Sequence, residues 1–170
     1  MKKLQWDKVR VLVANYCNYK CPFSHNEGQD KTTTKERMSL QSFRRLVDIL
    51  SNQPISEFNI SGGEPFLNED IVDMILYIND NLDCDISCAT NLSLIKPEHI
   101  SVLSGTRIKF NIQFPFATAE AFKRSTVTGN LDRILTNIDL LCAENIQVGL
   151  NTVVQSDDFS SISTLIDFAL

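Results

Sequence analysis

A chain of 170 residues with 43% hydrophobic and 22% charged side chains has the composition of one globular domain with a single sizeable core. Its net charge of −5 supplies no basic footprint for nucleic acid or an anionic membrane surface, and no apolar run approaches the roughly 20 residues of a membrane-spanning helix. The first residues lack the apolar stretch of a secretory signal. The cysteines number five, two of them in one short loop, which argues against a disulfide framework and for a reducing, cytoplasmic setting.

Lys8 to Asn15 (KVRVLVAN) reads as a strand running directly into Cys17-Asn18-Tyr19-Lys20-Cys21-Pro22-Phe23-Ser24. Ser39 is placed as an N-cap, with Met38 and Phe43 spaced for a hydrophobic staple. Leu40, Phe43, Leu46, Val47 and Leu50 then form a helical stripe. Glu57 to Ser61 is the second strand, followed by a glycine turn. Asn68 is expected to cap a helix that carries Glu69 and Asp70 in its positive first turn and Ile71, Ile75, Ile78 and Leu82 on one face. A third strand, Asp85 to Thr90, precedes a short helix with Pro97 at its first position. The fourth, Arg107 to Phe114, alternates throughout: Ile108, Phe110, Ile112 and Phe114 face one way, and Arg107, Lys109, Asn111 and Gln113 the other. A helix from near Asn130 to about Asn145, a fifth strand from Gln147 to Val154, and an amphipathic segment with Ile162, Leu165, Ile166 and Ala169 complete the chain.

Five β-then-α units imply parallel strands joined by right-handed crossovers, in an α/β fold. A doubly wound sheet is covered by helices on both faces and favours strands apolar on both sides. The polar face of the fourth strand favours instead a lumen, hence a partial (β/α) barrel. Residues 1–170 form one domain, expected to be a C-terminally truncated piece of a six-unit barrel.

Loops after the C-terminal ends of barrel strands carry the chemistry of such folds, and the cysteine loop follows the first strand. Cys17 and Cys21, with a third position three residues on, have the spacing of a loop that wraps a [4Fe–4S] cluster through soft thiolates. The third position is Ser24. A hydroxyl keeps the shape of the thiol but is a hard oxygen donor, ionised far less readily than a thiol of unperturbed pKa about 8.5.

The loop, the turn Ser61-Gly62-Gly63-Glu64-Pro65 and the βα rhythm together resemble the radical S-adenosylmethionine (SAM) superfamily, whose signature C-x3-C-x-aromatic-C has its aromatic where Phe23 stands. Phe23 to Gly28, and Phe122 to Val154 with its Thr128-Gly129 and Asn151-Thr152-Val153-Val154, are similar to the cyclic-pyranopterin-forming branch of molybdenum-cofactor biosynthesis, which suggests GTP as substrate, although peptide-modifying relatives share the core. The resemblance implies that Cys17, Cys21 and the Ser24 position are the cluster ligands and that Phe23 contacts adenine. It implies that Gly62 and Gly63 let the backbone approach the methionyl amino group, with help from Glu64. Asn111 or Gln113, and more weakly Asn151, would reach the ribose or carboxylate, and Thr90-Asn91 would line the substrate side. In the family the reduced cluster cleaves SAM to methionine and a 5′-deoxyadenosyl radical that abstracts hydrogen from a small-molecule or peptide substrate. A reductant such as flavodoxin or ferredoxin is then a partner.

Other readings stand beside this one. Cys17, Cys21 and His25 offer two sulfurs and a nitrogen to zinc. Cys84 and Cys88 repeat the spacing, but as buried structural thiols. Cys142 is expected in the core and His99 on a helix surface. Ser24 admits an engineered ligand knockout, a natural relative that has lost catalysis, or an oxygen-ligated variant. Two function classes follow: a radical SAM core impaired by Ser24, or a non-catalytic scaffold whose barrel mouth holds a nucleotide-like ligand or a partner.

Overall fold

A computed structural model of the chain describes residues 7–24, 34–154 and 159–169. Its strands are β1 (Lys8–Leu12), β2 (Glu57–Ser61), β3 (Asp85–Thr90), β4 (Ile108–Gln113) and β5 (Gln147–Asn151). All neighbours pair in parallel, in the order β1-β2-β3-β4-β5. That order decides between the two expected architectures. A doubly wound sheet reverses direction at a switch point, whereas a barrel lays each strand beside the last. The fold is a partial (β/α) barrel. Its helices are α1 (Leu40–Leu50), α2 (Ile71–Asn81), α3 (Pro97–Leu103), α4 (Ala119–Thr126), α5 (Leu131–Ala143) and α6 (Phe159–Ala169).

The two faces of the sheet are chemically distinct. Phe58, Ile60, Ile86, Cys88, Ile108, Phe110 and Ile112 are buried on one face, under Phe43 and Val47 of α1 and Met74, Ile75 and Ile78 of α2. Phe43 meets Phe58 edge-on, with ring centroids 5.7 Å apart. The register sets Arg10, Asn59, Ser87, Lys109 and Gln147 in one row across the other face. Arg10 Nε donates to Asn59 Oδ1 (3.0 Å), and Asn59 Nδ2 donates to Ser87 Oγ (2.7 Å). The polar side of the alternation therefore lines the lumen.

Helix punctuation follows the sequence at Ser39, whose Oγ accepts from Ser42 N (3.2 Å), at Pro97, and at Asn130, which accepts from Arg133 N (3.1 Å). Asn68 departs from expectation. It ends a short 3-10 turn (Pro65–Leu67), and the N-cap position of α2 falls to Asp70, whose side chain makes no cap hydrogen bond. Asn68 has a different task because it is buried between segments: its Nδ2 donates to Val13 O (3.0 Å) and Met38 O (2.9 Å), and its Oδ1 accepts from Asp70 N (3.1 Å). Asn68→Ala takes these partners from Met38 O and Asp70 N, while Val13 O keeps the bond from Met38 N; it should cost about 1–2 kcal/mol, read as a lower urea midpoint, and an unchanged midpoint would remove Asn68 from this role.

Three further expectations are corrected. α4 was not anticipated. Cys142 is exposed, because only Leu141 of the run Leu140-Leu141-Cys142 turns inward. His99 is partly buried and stacks on Phe66 at 5.8 Å between centroids, so burial lowers its pKa. The reading of the first residues and of His25 lies outside the described residues. Among the described residues no helix is long and apolar enough to cross a membrane.

Candidate functional site

The loop from Val13 to Ser24 leaves the C-terminal end of β1 and is strapped to the turn after β2. Val13 N donates to Ser61 O, Gly63 N to Ala14 O and Glu64 N to Tyr16 O, each at 2.9 Å, so the β1–β2 ladder continues past both strands. The glycines of that turn are explained by this contact. A Cβ on Gly63 would overlap the Tyr16 carbonyl and lie 2.8 Å from Cys17 N; one on Gly62, where φ is 156°, would overlap Ala14 O. The family resemblance implies that these glycines admit a ligand, and both line the cavity beneath the loop. The backbone they admit is that of the cysteine loop.

Two more loops brace the same segment. After β3, Asn91 Nδ2 donates to Asn18 Oδ1 (2.8 Å) and Cys17 Sγ (3.6 Å), and Asn18 Nδ2 donates to Ser93 Oγ (2.8 Å). After α4, Lys20 N donates to Thr126 O (3.3 Å) and Thr128 Oγ1 to Asn18 O (3.0 Å). Val127 there has φ 66° and ψ −45°, and Thr128 N donates to Thr126 O (2.8 Å), a γ-turn of the strained hand on a β-branched residue. Of these braces the sequence singles out Asn91, as part of Thr90-Asn91, and Thr128, as part of Thr128-Gly129, neither of them as a brace. Asn18, Ser93 and Thr126 carry no local signal that sets them apart from surface polar residues.

Beneath the loop lies a cavity of about 370 Å³. Cys17, Cys21, Phe23 and Ser24 bound it on one side; Gly62, Gly63, Thr90, Asn91 and Gln113 bound it on the other. Burial raises the Cys17 thiol, opposed by hydrogen bonds from Tyr19 N and Asn91. Burial, reinforced by Cys17, pushes Cys21 up to about 11. Gln113 Nε2 is buried without a hydrogen-bond partner among the described residues, while its Oε1 accepts from Asn151 Nδ2 (3.3 Å). The remaining expected residues fall elsewhere. Asn111 lines a separate cavity of about 320 Å³ with Asp85, Lys109 and Gln147. Glu64 has no exposure at all: its Oε1 accepts from Phe66 N (3.0 Å) and Thr90 Oγ1 (2.7 Å), and its Oε2 from Asn91 N (2.8 Å).

The donors decide what the site can hold. A four-iron cluster needs thiolates, and the loop offers two thiols and the exposed Ser24 hydroxyl, which does not fit a [4Fe–4S] cluster. Among the described residues no group of three or more His, Cys, Asp or Glu side chains is arranged to hold a metal ion. An organic ligand fits better. The cavity lies within the usual small-molecule range, offers the half-buried Phe23 ring, and has in its lining Gln113, whose buried Nε2 lacks a hydrogen-bond partner among the described residues.

Comparison with known proteins agrees with this geometry. The family model described as Radical SAM superfamily matches residues 11–169. A GTP 3′,8-cyclase of Clostridium perfringens (strain SM101 / Type A) is 28% identical over 153 residues, covering 89% of this chain and 47% of the relative. A probable GTP 3′,8-cyclase of Thermococcus kodakarensis is 29% identical over 162 residues, covering 95% and 52%. The chain thus spans about half the length of these curated relatives. Among solved structures, Streptococcus suis SuiB bound to S-adenosylmethionine aligns with a TM-score of 0.84 at 18% identity, over 95% of this chain and 37% of SuiB. anSMEcpe with bound AdoMet aligns with a TM-score of 0.77 at 16% identity, over 96% and 49%.

Proposed function

The chain belongs to the radical SAM superfamily, and on that premise we propose that the cavity under its cysteine loop binds S-adenosylmethionine, in an enzyme core whose cluster seat is incomplete as written. The observation that carries this is a cavity walled by the cysteine loop and the Gly62-Gly63 turn, with Gln113 in its lining and the Gln113 Nε2 left without a partner among the described residues, so that a small side-chain adjustment presents a donor to a ligand. Gln113, steadied by Asn151, donates to a ribose or carboxylate oxygen of the ligand. Phe23 packs on the adenine, and the glycine turn fixes the wall that faces the methionyl end. Glu64 and Asn111, by their placement, make no direct contact in this reading.

In relatives with a complete cluster, that group supplies the electron that cleaves SAM. Here Cys17 and Cys21 supply two of the thiols and Ser24 withholds the third. Ser24 also favours the second reading, a SAM- or nucleoside-binding scaffold without turnover. Both readings predict the same ligand and separate on whether a cysteine at position 24 restores the cluster. The similar proteins include a GTP 3′,8-cyclase and a SuiB structure bound to precursor peptide SuiA, so a nucleotide and a peptide are both represented among them. A flavodoxin- or ferredoxin-type reductant and a reducing cytoplasm belong to the cluster-bearing form.

Calorimetric titration of SAM into metal-free protein should show saturable binding. Gln113→Ala should weaken it about tenfold, about 1.4 kcal/mol for one lost hydrogen bond to the ligand. A flat titration of the unaltered chain would overturn the proposal.

A further inference from the structure

We infer that Glu64 is a positioning residue that lies behind the SAM cavity and locks the turn after β3, so that the Asn91 side chain braces the first cysteine. The inference concerns the site of the proposed function but does not depend on SAM binding.

Glu64 is the only charged side chain among the fully buried polar residues described, and its carboxylate already receives three donors from two different turns. Phe66 N comes from its own turn, whereas Thr90 Oγ1 and Asn91 N come from the turn after β3. A ligand ammonium would have to reach oxygens that have no exposure and little acceptor capacity left. The placement instead ties together the two turns that flank the cavity.

The turn so tied is specified at every point. Thr90 Oγ1 also accepts from Leu92 N (2.9 Å), and Asn137 Nδ2 donates to Leu92 O (2.9 Å), holding Leu92 at φ 60°, a region that branched, non-glycine residues avoid. Asn91 Oδ1 accepts from both Ser93 N (2.9 Å) and Ser93 Oγ (2.6 Å). That fixes the amide plane and leaves its two N–H groups to point at Asn18 Oδ1 and Cys17 Sγ. A buried carboxylate is costly, and burial holds the Glu64 carboxyl above the ordinary range against its three donors. Its retention is explained by what it orients: glutamine keeps the size but presents an amide N–H to donors on one side.

The test uses Glu64→Gln, Asn91→Ala and the double variant, all in metal-free protein without SAM. Amide hydrogen exchange at Asn91 should quicken about tenfold in Glu64→Gln while exchange within β2 and β3 stays unchanged. Alkylation of Cys17 by iodoacetamide, followed on its own peptide, should quicken in both single variants, because the thiol gains exposure. The double variant should match the singles rather than multiply them. Wild-type exchange at Asn91 and wild-type alkylation at Cys17 in Glu64→Gln would overturn the inference. If Glu64→Gln does not fold, Asn91→Ala alone decides: unchanged Cys17 alkylation sinks the idea. A role in ligand contact would appear as weaker SAM binding with both of these readouts unmoved, so failure here is distinguishable from failure of the SAM proposal.

Discussion

Ser24→Cys, reconstituted anaerobically with iron and sulfide, should acquire the broad visible absorbance of an iron–sulfur cluster and about four irons per chain, while the chain as written stays nearly iron-free. The physical case rests on the donors. The loop already brings Cys17 and Cys21 to the same cavity wall as Ser24. Only the third soft ligand is missing, and oxygen for sulfur at that point removes a thiolate bond without changing the shape. Both thiols are held protonated by burial, Cys21 up to about 11, so each must release a proton as it ligates. Loading of the cysteine variant should therefore rise with pH between about 7 and 9. A Ser24→Cys protein that remains colourless, both as this chain and in a longer version matching the full length of its relatives, would show that the loop has lost more than one ligand.

The largest loss of stability should come from Gly63→Ala. One methyl group there lands on the Tyr16 carbonyl, and the obstacle is backbone on both sides, so no side-chain rotation relieves it. Overpacking of this kind costs about 2–3 kcal/mol, which for a chain of this size lowers the melting temperature by about 5–10 °C. Because the displaced atoms belong to the cysteine loop, SAM binding should fall in the same variant. Gly105→Ala is the matched control. Gly105 has φ 80° but open space around its Cα, so its alanine variant bears only the strain of the left-handed backbone, about 1 kcal/mol, and leaves the cavity intact. Gly63 is not among the positive-φ glycines, so a loss there no larger than at Gly105 would show that the loop yields to the added methyl group and that the close approach is not what requires glycine.

Much of this architecture is legible in the chain because the alternation of β4 is so strict. Ile108, Phe110 and Ile112 are buried while Lys109, Asn111 and Gln113 face the lumen, as the alternation requires, and β2 and β3 begin and end at the expected residues. α4 escapes notice because only Phe122 and Thr126 of its eight residues are buried, one per turn, which leaves no apolar stripe to detect. The loop motif located the cavity, since Cys17, Cys21, Phe23, Ser24, Gly62, Gly63 and Gln113 all line it. Asn111 and Gln113 share a face of β4 but sit two residues apart along it, far enough to fall in different cavities. The surroundings of Glu64 are hidden in the sequence for a different reason. A motif fixes where a residue lies along the chain and says nothing of which way its carboxylate turns, and that depends on donors from residues 90 and 91.

The sequential strand order has a consequence for how the molecule assembles. Every strand pairs with its neighbour in the chain, so each crossover spans a single unit and units can be added one after another as the polypeptide leaves the ribosome. The cysteine loop is the exception. It is made almost first, yet its braces come from the turns after β2 and β3 and from Thr126 and Thr128. In synthesis from the N-terminus the loop is braced in stages and gains its last brace only when Thr126 and Thr128 of the fourth unit have emerged, so the cavity end of the barrel stays incomplete after β1, β2 and β3 have paired.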